Sequence, residues 1–129
     1  MIKSPEEFVS LRTSIQPDEY KRAAEDEAPL EVWNAVLDSY PEMHEWVAHN
    51  KTIPLELIER LAGSPHVRVR LTIAMKRRTP AGVLAMLARD PDDAVRMAVA
   101  RHPKAPDEVL QTFQNDPVDA IRQLATSRR

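Results

Sequence analysis

Prolines set the frame of this chain. Ten of its eleven fall into two interleaved series. The first runs Pro5, Pro29, Pro54, Pro80 and Pro106, at spacings of 24, 25, 26 and 26 residues. The second runs Pro17, Pro41, Pro65, Pro91 and Pro117, at 24, 24, 26 and 26. A proline inside a helix removes a backbone hydrogen bond and clashes with the preceding turn, so the two series cut the chain into short helical segments. A regular period of roughly 20–50 residues is the mark of stacked repeats. The spacing therefore predicts an all-α solenoid of about five two-helix repeats over residues 5–28, 29–53, 54–79, 80–105 and 106–129, in one domain over 1–129.

The apolar residues keep the same register. At +3, +4, +7 and +8 after the first-series prolines stand Val32, Trp33, Val36 and Leu37, then Leu57, Ile58, Leu61 and Ala62, then Val83, Leu84, Leu87 and Ala88. Val109, Leu110 and Phe113 continue the series. That is one stripe of a short amphipathic helix. The first repeat keeps Phe8 and Val9 but places Arg12 at +7, and terminal repeats are expected to be atypical. Helices of about 8–11 residues are too short to persist alone, so stability must come from packing between repeats.

Ser64, Asp90 and Asp116 each precede a second-series proline. They are expected to act as N-caps, with proline in the first turn, where its missing N–H has no helical partner to lose. The first two second helices lack such a residue and look about two residues shorter, with Ala24 and Ala48 matching Ala74 and Ala100. Some second helices are expected to be 3₁₀ rather than α. Arg70, Arg96 and Arg122 recur five residues after the proline. Recurrence at one repeat position favours a structural task, bonding loop carbonyls or a neighbouring Asp, over a ligand site. The tail Ser127–Arg129 is expected to fray.

The phrases over 87–100 (LARDPDDAVRMAVA) and 47–58 (VAHNKTIPLELI) resemble the leucine-rich repeat variant, a bacterial helical repeat akin to HEAT and armadillo repeats. The resemblance covers about residues 29–126 well and 5–28 loosely. It implies a right-handed superhelix of alternating α and α-or-3₁₀ helices, and implies no activity. Some members carry an N-terminal cysteine cluster for an iron–sulfur centre, which a chain without cysteine cannot hold.

Reactive chemistry finds little footing. Without cysteine there is no disulfide, thiolate metal site or cysteine nucleophile. The two glycines, Gly63 and Gly82, stand apart, so no phosphate loop is present, and there is no Gly-x-Ser-x-Gly elbow. His44 and His49 suggest a zincin helix, but five residues set them about 140° apart around a helix, and zinc needs both on one face. No metal or cofactor is expected. Asn50-Lys51-Thr52 matches a glycosylation sequon. The first residues contain no apolar leader and no run is long enough to cross a bilayer, so the expected place is the cytoplasm. Trp33 sits on the core register, whereas Trp46 and Tyr40 lie where the repeat is irregular and are expected to keep a face at the surface.

Charge is distributed unevenly. Residues 1–62 hold 6 Lys/Arg against 13 Asp/Glu, net −7, and residues 63–129 hold 12 against 7, net +5. Stacking in chain order would give an acidic and a basic end. Arg68, Lys76, Arg77, Arg78, Arg101, His102 and Lys104 are candidates for a partner-binding stripe, because equivalent repeat positions stack in space. The acidic run Glu25–Glu27 with Glu31 is the matching negative candidate. The expected function is a non-enzymatic protein–protein interaction scaffold, with a regulatory or toxin-neutralising role among the options. The alternative is binding of a nucleic-acid backbone by the basic stripe, against which stand the pI near 6.1, the few aromatics and the lack of a reading motif.

Overall fold

The computed structural model describes residues 1–129, and every regular element in it is helical. The α-helices are α1 (Pro5–Thr13), α2 (Pro17–Glu25), α3 (Leu30–Ser39), α4 (His44–His49), α5 (Leu55–Ala62), α6 (Val67–Met75), α7 (Ala81–Leu87), α8 (Asp93–Arg101), α9 (Asp107–Gln111) and α10 (Asp119–Arg128). One 3₁₀ turn, Pro41–Met43, leads into α4. None of the helices is long and apolar enough to cross a membrane.

First-series prolines mark helix starts. Pro5 is the first residue of α1, where Ser4 Oγ accepts the Glu7 N–H at 3.0 Å. Pro29, Pro80 and Pro106 stand one residue outside α3, α7 and α9, and each gives its carbonyl to the first turn. The second series behaves differently from expectation. Pro65, Pro91 and Pro117 lie two residues ahead of α6, α8 and α10, outside the helix. Ser64, Asp90 and Asp116 are therefore not N-caps. Each accepts the N–H two residues on, from His66 at 3.1 Å, Asp92 at 2.9 Å and Val118 at 2.9 Å, and so folds the proline into a tight Asx- or Ser-type turn. The cap of α8 is Asp92, whose carboxylate accepts from Ala94 N and Val95 N. Pro17 does begin α2, which at nine residues equals α6 and α8, so only α4 is short. In α2 the buried small residue is Ala23, one earlier than the repeat alignment places it.

The contacts cluster into two compact units, Met1–Leu61 and Ala62–Arg129. In the first, α1 packs on α2 and α3, and α4 packs on α2 and α3. Its centre is the edge-to-face pair Phe8 and Trp33, with ring centroids 5.3 Å apart and planes at 78°. Both rings are fully buried, each contributing on the order of 2–3 kcal/mol of transfer free energy. The Trp33 indole N–H has no acceptor, which offsets about 1–3 kcal/mol of that gain. In the second unit α8 packs on α6, α7 and α10. Ile73, Leu84, Val95, Val99 and Ile121 are completely buried there. Because Ala62 is neutral, the unit boundary preserves the charge tallies: net −7 for 1–61 and net +5 for 62–129.

Asn50 closes the turn that ends α4. Its buried amide donates to Ala23 O at 2.8 Å and Asp26 O at 3.0 Å, while Oδ1 accepts from Thr52 N and Thr52 Oγ1. All four hydrogen-bonding capacities of the side chain are used. The sequon nitrogen is thereby occupied within the fold.

Candidate partner-binding face of residues 62–129

Cations that hold the fold must first be separated from those that can meet a partner. Arg70 and Arg96 belong to the fold. Arg70 Nε donates to Asp90 Oδ2 at 2.7 Å and its Nη1 to Ser64 O at 2.9 Å. Arg96 repeats the arrangement one period on, with Nε to Asp116 Oδ2 at 2.9 Å and Nη1 to Asp90 O at 2.9 Å. Donation to the Asp90 carboxylate raises the Arg70 pKa above its ordinary value, against the opposing effect of burial. Each fork thus ties its own turn to the Asp turn of the following repeat, and the carboxylates are only 4% and 5% exposed. Arg122, third in the series, keeps the bond to its own turn at Asp116 O but takes Asp119, on its own helix and 77% exposed, in place of a following repeat's Asp.

A second set of links runs through main-chain carbonyls. Lys104 N donates to His102 Nδ1 at 3.0 Å, so that nitrogen is bare and the ring proton sits on Nε2. Nε2 then donates to Lys76 O at 2.7 Å. Arg128 Nη1 in turn donates to His102 O at 2.8 Å and to Ala100 O at 2.5 Å. Lys76, His102 and Arg128 each stand eleven residues after a second-series proline. Asn50, at the matching place in its shorter repeat, reaches Asp26 O in the same manner.

This placement redraws the basic stripe. His102 is 2% exposed and both ring nitrogens face the backbone, so it offers no ring nitrogen to a partner. Arg68 lies in the first turn of α6, eight residues before Lys76, about 12 Å away along the helix axis. It does not join the other cations. Arg128, at the end expected to fray, is held by the carbonyls of Ala100 and His102.

The remaining cations gather at the carboxyl ends of two adjacent helices. Arg77 and Arg78 are exposed in the turn after α6, Arg101 ends α8, and Lys104 is exposed in the turn that follows. Cations at helix C-termini are favoured by the macrodipole, which steadies this edge. Lys76 caps α6 and is half-buried, and burial, then the charge of Arg78, pushes its pKa down to about 8. Arg77, Arg101 and Lys104 form no ion pair.

Beside this edge a cleft of about 410 Å³ runs between α6 and α8. Leu71, Met75, Ala94, Met97 and Ala98 give it an apolar lining, and Arg101, His102 and Pro103 close one end. Met75 is 67% exposed, a large apolar side chain held in water. Leu71 and Met97 both stand six residues after a second-series proline, off the buried stripe. Apolar residues recurring at a position the core does not use were the available signal for this cleft. No protein-family model, curated protein or solved structure matches the chain.

Proposed function

We propose that the chain is a right-handed α-solenoid of about five two-helix repeats, acting in the cytoplasm as a non-enzymatic protein-interaction scaffold. Its partner is an acidic, amphipathic protein segment, of a regulatory or toxin-neutralising system or another. The observation that supports this most directly is the juxtaposition in residues 62–129 of an exposed apolar cleft with Arg101 at its end, and with Arg77 and Lys104 exposed in the turns just after its lining residues Met75 and Pro103. An apolar helix stripe would cover Met75 and Met97, whose flexible side chains adapt to varied contacts, and flanking carboxylates would meet the cations. The net +5 of this unit would speed encounter with such a segment. A non-enzymatic role fits a cleft in which the only general base, His102, has both nitrogens engaged by main chain. Nucleic acid is the weaker candidate, because Arg68 and His102 do not contribute to the edge and the lining beside it is apolar.

The test is fluorescence anisotropy with a labelled amphipathic Glu/Leu helical peptide at physiological salt. Saturable binding is expected, with Met97→Glu abolishing it and Arg101→Glu weakening it about tenfold. Tighter binding of a random single-stranded DNA 20-mer, with a steep salt dependence, would replace the protein partner by nucleic acid.

A further inference from the structure

A second cleft, of about 490 Å³, lies wholly within residues 1–61, between α2 and α4. Tyr20 and Ala23 line it from α2, Trp46 and His49 from α4, with Arg12 of α1 and Lys51 at its margins. Its volume suits a small molecule. The Arg12 guanidinium carbon lies 3.5 Å from the centroid of the Trp46 ring, and the His49 ring packs on the same indole at 5.5 Å.

The charge environment makes Arg12 unusual. Its unit carries 13 carboxylates against 6 cations. Lys21 and Lys51 share Glu25, Arg22 takes Asp26 and Glu7, and Arg60 takes Asp38. Arg12, like Lys3, takes none of them, and its side chain forms no hydrogen bond but stacks on Trp46. Stacking holds the planar fork in place and leaves its N–H edge for an incoming acceptor. The sequence carries the same exception: Arg12 occupies the +7 position where later repeats have Val36, Leu61 and Leu87.

We propose that this cleft binds a small organic carboxylate with a flat apolar body. The carboxylate meets the edge of Arg12 in a paired, two-point contact. The body lies against Tyr20 and Trp46, over the space left by Ala23. A phosphate ester offers the same oxyanion chemistry, but its second charge is repelled by a unit of net −7. This site is independent of the protein-docking cleft, since the two share no residue.

Isothermal calorimetry on the full chain with 2-naphthoate, neutral 2-naphthamide and 2-naphthyl phosphate separates the possibilities. The expected result is saturable one-to-one binding of naphthoate, at least tenfold weaker binding of the amide, and no tighter binding of the phosphate. Arg12→Gln should weaken naphthoate at least tenfold, whereas Arg60→Gln and Met97→Glu, outside the cleft, should leave it unchanged. No saturable naphthoate binding, equal affinity for the amide, or indifference to Arg12→Gln in a folded variant overturns the site. Tighter binding of the phosphate overturns the carboxylate assignment. Should Arg12→Gln fail to fold, the comparison of acid with amide on the native chain decides alone.

Discussion

His102 donates its Nε2 proton to the main-chain carbonyl of Lys76, 26 residues earlier, across 2.7 Å. The link joins the ends of α8 and α6 without using any side chain of the earlier helix. Because the Lys104 N–H fills Nδ1, the neutral ring is bound at both nitrogens. Removing it leaves the Lys104 N–H without its acceptor and the Lys76 carbonyl with only the Thr79 N–H. His102→Ala is expected to destabilise the fold by about 2–4 kcal/mol, from two lost hydrogen bonds and the cavity left behind. His102→Asn should recover part of this, since Asn50 performs the same task in the first unit. Urea unfolding with an unchanged slope is the measurement, and equal loss for both variants would show that packing, not the hydrogen bond, matters here.

The arginine series divides by burial. Arg96→Ala leaves the 5%-exposed Asp116 carboxylate with only the Val118 N–H and the Asp90 carbonyl without its guanidinium donor, and should cost about 1–3 kcal/mol. Arg122→Ala loses the bond to the Asp116 carbonyl and a pair with Asp119 that is 77% exposed, leaves no buried carboxylate behind, and should cost less, about 1 kcal/mol. Thermal melts of the two variants side by side check the order. An unchanged melting temperature for Arg96→Ala would show that its two links contribute nothing net.

Lys76 sets a pH dependence with a definite sign. Its folded pKa is about 8, against 10.5 for the free group, because burial and Arg78 disfavour the ammonium. Between about pH 8 and 10.5 the unfolded chain therefore holds more protons than the folded one, and stability rises with pH. Below about pH 8 both forms are charged and this contribution is constant. Chemical denaturation should show the native chain gaining on Lys76→Met as pH is raised from about 7.5 to 9.5. The window stops short of Tyr40, whose pKa the Glu6 hydrogen bond raises above 10. A flat difference across the window would mean that Lys76 titrates as an ordinary lysine.

Gly82 lies in the first turn of α7, where a Cβ would meet nothing within 4 Å and the backbone is not left-handed. Gly82→Ala should raise stability by about 0.5–1 kcal/mol through the unfolded state. Differential scanning calorimetry should record a higher melting temperature, and a lower one would reveal a use for the glycine that the fold does not display.

What could be read from the sequence is what repeats by residue type. The proline period and the stripe of Val32, Trp33, Val36 and Leu37 locate α3 and its buried side, because helical sterics and apolar transfer act on local pattern. Its place before Pro91 suggests that Asp90 is an N-cap, whereas it closes a turn. Its carboxylate is directed by Arg70, twenty residues earlier, and a local pattern cannot contain that partner. The clefts were less visible still. Arg12 broke the apolar register as a terminal repeat is expected to, and only its place over Trp46 shows a second reason. His102 looked like a surface cation by its neighbours Arg101 and Lys104, yet it is turned inward.

The links through Asp26, Lys76 and His102 have acceptors that no codon specifies, since every residue type supplies the same carbonyl. Asn50, His102 and Arg128 share only the ability to donate. A mutation can break such a link from one side alone, and any donor of adequate reach restores it. These positions can therefore drift among chemically unlike residues while the helices they join stay in register.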